Sequence, residues 1–217
     1  MTAIYEKLRP QSLDQFVGFS EQIANLEKLK DVLGWYGQVF WVSGMSGTGK
    51  TTLARIIAAE VSSGIDIDEL DGQDLNVDRI RDIVRQAHYK PMMGESYAVI
   101  VNEAHMLGTK SVSLLQTALE ESHVQKYVTW IFTTTNKGQQ HLFDNRFDAF
   151  PFLSRAIMVD LDPSEQTLNQ FVHYLHNTAD SLGLNGKPIK AYRKLLTECK
   201  GNLRMALQQI ASGKMAA

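Results

Sequence analysis

A chain of 217 residues has room for one large domain or a medium domain followed by a small one, and 44% hydrophobic residues suffice for an ordinary globular core. A formal net charge of −2 excludes nucleic-acid binding through bulk charge, so any such contact must be local. One cysteine, Cys199, excludes an internal disulfide and a cysteine-built zinc module; with no apolar run of bilayer length and no signal-peptide core at the start, a soluble cytoplasmic protein without membrane contact is expected.

In chain order, the first strong signal is the β-prone apolar run Val39-Phe40-Trp41-Val42. It leads into Gly44-Met45-Ser46-Gly47-Thr48-Gly49-Lys50-Thr51, a complete G-x-x-x-x-G-K-S/T phosphate loop, and then into a segment from Thr52 to Glu60 with helical spacing. Strand, glycine loop and helix in this order give the pattern a mechanism. The loop curls so that backbone N–H groups face phosphate oxygens, and the helix N-terminus adds a favourable dipole. Lys50 would reach the β- and γ-phosphates, and the Thr51 hydroxyl would sit on Mg²⁺. The expected ligand is a nucleoside triphosphate.

Residues 65–70 predict a short strand ended by Asp71-Gly72, and residues 77–89 a helix with Val77, Ile80, Val84 and Ala87 at helical spacing. Ala98-Val99-Ile100-Val101 is continuous and apolar, as a buried parallel strand should be. Residues 111–121 read as a helix with Val112, Leu115 and Leu119 on one face, residues 127–135 as β-rich, and residues 156–161 as a further short strand. Beyond Pro163 only helical patterns remain, over 165–182, 189–199 and 203–211. The alternation predicts an α/β fold, a parallel sheet sandwiched by helices, followed by a small all-α region. The shift near residue 162 divides the chain into a phosphate-loop domain, 1–161, and a helical domain, 162–217.

Triphosphate hydrolysis needs a metal ligand, a group that orients water, and positive charge on the γ-phosphate. The strand at 98–101 ends in Asn102-Glu103-Ala104-His105, a Walker B pattern of D-E-x-H type whose first acid is an amide here. Glu103 would polarise the attacking water. Asn102 would bind a metal-held water but contributes no charge, so weaker Mg²⁺ binding and slower turnover are expected.

Tyr5-Glu6-Lys7-Leu8-Arg9-Pro10 followed by Phe16-Val17-Gly18, the Asn102–Leu107 stretch, Leu115 to Glu121, Thr133-Thr134-Thr135-Asn136, Leu153-Ser154-Arg155 and Gly201-Asn202-Leu203-Arg204 occur in an order that resembles clamp-loader ATPases of the AAA+ superfamily. The likeness is to the bacterial motor subunit and the small subunits of replication factor C, over essentially the whole chain. It implies ATP as the nucleotide with Mg²⁺, an AAA+ core with a helical lid, and self-assembly into a ring or arc, with other clamp-loader-type subunits or a sliding clamp as further partners. It also implies roles: Asn136 as sensor 1, Arg155 as an arginine finger acting on a neighbour's nucleotide, and Arg204 as sensor 2 on the lid. Tyr5, Pro10 and Val17 would line the adenine side, beside the loop and Thr52. A guanidinium suits the finger because it is always charged and forks onto phosphate oxygens.

The family's third, collar-forming domain has no counterpart before Ala217, and its four-cysteine zinc module is absent between Ala58 and Asp68. In the family the helix after Walker B tracks duplex DNA; here its start is Thr109-Lys110-Ser111, suited to phosphate contacts. Arg79, Arg81 and Arg85 would add charge. The leading expectation is an oligomeric, slowly hydrolysing clamp-loader-like ATPase acting on DNA in replication or repair. The alternatives are an ATP-binding assembly protein with weak or no hydrolysis, and an AAA+ remodeller of protein partners.

Overall fold

The computed structural model describes residues 4–92, 94–135 and 153–216; the sensor 1 candidate, Asn136, lies outside them. The described residues form five parallel strands: β1 (Val39–Ser43), β2 (Ile67–Asp71), β3 (Tyr97–Asn102), β4 (Val128–Thr133) and β5 (Ile157–Asp160). Their order across the sheet is β2-β3-β4-β1-β5. The central three are mainly apolar and buried along almost their whole length because both faces are covered, whereas the edge strands β2 and β5 are partly exposed and carry acids.

Side chains alternate between two apolar clusters. Phe40, Val42, Ala98, Ile100 and Ile131 pack on one face with Leu53, Ala54 and Ile57 of helix α3 (Lys50–Val61). Val39, Trp41, Val99, Val101, Trp130 and Phe132 pack on the other with Ile80 of α4 (Val77–Gln86) and Val112 and Leu115 of α5 (Thr109–Ala118). Earlier in the chain lie α1 (Ile4–Lys7) and α2 (Ser20–Leu33). After β5 every described element is helical: α7 (Glu165–Ser181), α8 (Ile189–Glu198) and α9 (Leu203–Ala211), which add Phe171, Leu175, Tyr192, Leu195 and Leu207 to the first cluster. No described helix is long and apolar enough to cross a membrane.

Most boundaries shift by a residue or two, and three differences have a visible cause. The strand expected from residue 65 begins at Ile67, because residues 64–66 form a 3₁₀ turn and pairing with β3 runs only from Ile67 opposite Ala98 to Asp71 opposite Asn102. The helix expected to reach Tyr89 ends as α4 at Gln86 and closes in a turn. The helix expected over 111–121 stops at Ala118, and a second one, α6 (Ser122–Tyr127), follows. Leu119 is buried at the break, and the Gln125 amide donates to its carbonyl at 2.9 Å, giving the broken helix end a partner.

Candidate functional site

The carboxyl ends of β1, β3 and β4 converge where β1 lies between β4 and β5, the crevice in which open α/β sheets hold ligands. Backbone bonds lock the tips together: Thr134 N donates to Val42 O at 3.0 Å and Leu161 N to Ser43 O at 2.8 Å. From β1 the chain enters the glycine loop, and α3 starts at Lys50. Gly47 and Gly49 have φ of 79° and 107°, and added β-carbons would lie 1.9 Å from Asn202 Oδ1 and 2.8 Å from Phe16 Cζ. The loop is thus approached from two sides, by the N-cap of α9 and by the segment before α2.

Lys50 is 8% exposed, and its ammonium donates to the Met45 carbonyl at 2.7 Å; the Thr48 hydroxyl donates to the same oxygen at 2.9 Å. Met45 N donates to Asp162 Oδ1 at 3.2 Å. Burial holds the Lys50 ammonium below the usual lysine range; the negative charge of Glu103 opposes this, Arg204 adds to it, and Asp162 opposes it.

At the tip of β3, Asn102 Oδ1 accepts from the hydroxyls of Thr51 and Thr133, both at 3.1 Å, and Asn102 Nδ2 donates to Glu69 Oε1 at 2.9 Å. Glu69 also accepts from Arg55 Nε at 2.8 Å and Nη2 at 3.0 Å. The next residue, Glu103, has φ 48° and ψ 49°, a left-handed backbone that costs an ordinary side chain about 1–3 kcal/mol. The chain turns there, and Glu103 Oε2 lies 3.5 Å from His105 Nδ1, which is 3.2 Å from the Thr134 hydroxyl. Because the Thr51 proton points to Asn102, the hydroxyl oxygen keeps lone pairs for a hard cation. The residues present therefore fit a triphosphate with Mg²⁺: buried lysine, inward loop, hydroxyl and amide oxygens.

Beside the loop, one pocket is lined by Tyr5, Pro10, Val17, Thr52 and Arg204, all expected from sequence, and also by Leu8, Arg9, Phe16, Tyr174, Leu203 and Leu207. The Arg204 guanidinium lies 5.6 Å from the centre of the Tyr5 ring. Of the additional residues, Leu203 and Leu207 follow the helical period of α9 and were open to sequence reasoning; Tyr174, from the middle of α7, carried no such signal.

Arg155 is not in this pocket. It precedes β5 at the amino ends of the strands, beside Gln38, Val128 and Trp130, and forms an ion pair with Glu120. Thr109 and Lys110 are exposed at the start of α5, whereas Ser111, the third DNA-contact candidate, is only 5% exposed, its position on the helix turning into the core. Arg79, Arg81 and Arg85 are each paired with an acid, Asp68, Asp78 and Asp82, so they add little uncompensated charge.

The model of the AAA family, "ATPase family associated with various cellular activities", matches residues 40–154. The DNA polymerase III gamma/tau subunit of Mycoplasma genitalium is 35% identical over 161 residues, 60% of this chain and 25% of its own length. The gamma subunit from Buchnera aphidicola is 26% identical over 96% of this chain and 60% of its own length, and the tau subunit of Escherichia coli 26% identical over 95% and 34%. The chain thus spans between a quarter and three-fifths of these curated relatives. Among solved structures, the RuvB Holliday junction branch migration motor of Thermotoga maritima superposes with a TM-score of 0.68 at 24% identity, covering 94% of this chain and 64% of that one, a likeness of fold.

Proposed function

Since the chain belongs to the AAA ATPase family, we propose that it is a clamp-loader-type, oligomeric ATPase that binds ATP with Mg²⁺, hydrolyses it slowly and acts on DNA in the cytoplasm. The observation that carries this reading is the meeting of Lys50 and Thr51 at the start of α3 with Asn102 and Glu103 at the tip of β3, beside a pocket that Arg204 helps to line.

Residues 44–52 hold the phosphates through backbone N–H groups and the Lys50 ammonium, while Tyr5, Pro10 and Val17 pack on the base. Thr51 and Asn102 would hold Mg²⁺, which when bound would neutralise charge on the phosphate oxygens. Glu103 accepts the proton of the attacking water, aided by Asn136. Arg204 links residues 162–217, a lid domain, to the nucleotide held by residues 1–161. Arg155 serves the site of a neighbouring subunit. The DNA polymerase III relatives support a clamp-loader-type partnership, with Thr109 and Lys110 on the duplex backbone.

One observation favours a second reading. Asn102 supplies an amide where the catalytic pattern has a carboxylate, which suits a protein whose ATP chiefly holds an assembly together. Steady-state hydrolysis with and without primer-template DNA, alongside mass in solution with a slowly hydrolysed ATP analogue, separates the two. DNA-stimulated turnover by an oligomer supports the motor; assembly without turnover supports the scaffold; neither assembly nor nucleotide binding would overturn both.

A further inference from the structure

The amide of Asn102 is a two-faced group at the one position where its orientation decides what a cation meets. A threonine hydroxyl can donate or accept, so neither Thr51 nor Thr133 chooses between the oxygen and the nitrogen of that amide. A carboxylate can only accept. Glu69 sits 2.9 Å from Asn102 Nδ2, and is itself gripped through both oxygens by Arg55 from α3. With the nitrogen drawn to β2, Asn102 Oδ1 is left facing the Thr51 and Thr133 hydroxyls. A flipped amide would set its oxygen against a carboxylate and its N–H₂ group, a donor, toward the cation.

Resting on the nucleotide reading of this site, we propose that Glu69 is a positioning residue that sets the orientation of Asn102. Glu69 stands on edge strand β2, opposite Ile100 in the register, two residues before the tip where Asp71 lies opposite Asn102. A carboxylate and an amide in hydrogen-bonding contact carry the same formal charge as the reverse pair. Two carboxylates at that separation would repel each other. The pair is therefore coupled: Asn102 suits this chain because Glu69 is its neighbour.

The test is a double-mutant cycle on Glu69→Gln and Asn102→Asp, with Glu69→Ala beside it. In nucleotide-free protein at fixed pH, Asn102→Asp alone should lower the melting temperature, and adding Glu69→Gln should recover it, since the swapped pair restores one donor facing one acid. With a fluorescent ATP analogue, Glu69→Ala should raise the Mg²⁺ concentration at half-maximal affinity about tenfold, as loss of a partner that orients a metal ligand does. Affinity without Mg²⁺ should stay at the wild-type value, a split that general unfolding would not give. The swapped pair should return the Mg²⁺ requirement to the wild-type value or below. Strictly additive melting effects, or an unchanged Mg²⁺ requirement in Glu69→Ala, would overturn the proposal. A wild type that bound no nucleotide would overturn the reading of the site instead, and the nucleotide-free cycle would still decide whether Glu69 and Asn102 are coupled.

Discussion

Lys50 donates to the carbonyl of Met45 at 2.7 Å, so the phosphate-loop lysine is held by the loop it serves. Its charge is buried, and burial sets its pKa below the ordinary lysine value. Holding that charge therefore costs the nucleotide-free fold stability at neutral pH. The cost is present below the folded pKa and is relieved as pH rises toward the unfolded one. Lys50→Met keeps most of the stem and removes the charge. ATP affinity by calorimetry should fall at least about tenfold, roughly 1.4 kcal/mol. The nucleotide-free melting temperature at pH 7 should not fall, and any gain over the wild type should narrow as pH is raised. Unchanged ATP affinity would dismiss the phosphate-loop assignment.

Glu103 is held at the strand tip by a left-handed backbone and faces His105, whose ring nitrogen in turn lies beside the Thr134 hydroxyl. Glu103→Gln keeps the shape and removes the basic oxygen. Turnover should drop by about 10²-fold or more while ATP binding is kept, because positioned acid–base groups contribute on the order of 10²–10⁴. A wild-type rate in this variant would assign water activation elsewhere.

The ion pair of Arg155 with Glu120 joins a side chain preceding β5 to the chain just beyond α5, far from its own phosphate loop at the opposite ends of the strands. A finger acting on a neighbour must exchange this carboxylate for phosphate. Arg155→Ala should leave ATP binding by an isolated subunit intact and reduce hydrolysis by the assembly, fingers elsewhere contributing on the order of 10³–10⁵. Glu120→Gln, which weakens the competing partner, should raise hydrolysis of the assembly without changing subunit affinity. Mixing Arg155→Ala with Lys50→Ala protein should recover turnover; proven co-assembly with no recovery at any ratio would rule out action in trans.

Lys110 is exposed at the second position of α5. Lys110→Ala should weaken DNA binding alike across sequences and reduce its salt dependence by about one unit, since a phosphate contact releases counterions without reading bases. ATP affinity should be unaffected. Fluorescence anisotropy over a salt series, with nucleotide present, reads both. Ser111→Ala, being inside the core, should not change the salt slope.

Local chemistry carried much of this protein into view before any coordinates. The run Val39 to Val42, the glycine loop and the start of α3 are consecutive in the chain, so the strand–loop–helix unit is written in neighbouring residues. The continuous apolar run of β3 announces a strand covered on both faces, the β-rich run of β4 announces its neighbour, and the helices after β5 follow their periodicity to within a residue. Sites assembled from distant segments could not be read this way. Glu69 stands in a short acidic stretch that looks like a solvated edge; only pairing of β2 beside β3 brings it to Asn102. Tyr174 lines the pocket only because α7 folds back beside the loop. Leu119 ends a helix whose period would have continued, because burial there and the Gln125 bond to its carbonyl outweigh local propensity. The inward turn of Ser111 likewise depends on what α5 packs against. Spacing along the chain determined which elements form, and packing among them decided which side chains meet, because propensity acts over a few residues while burial and hydrogen bonding join residues far apart in sequence.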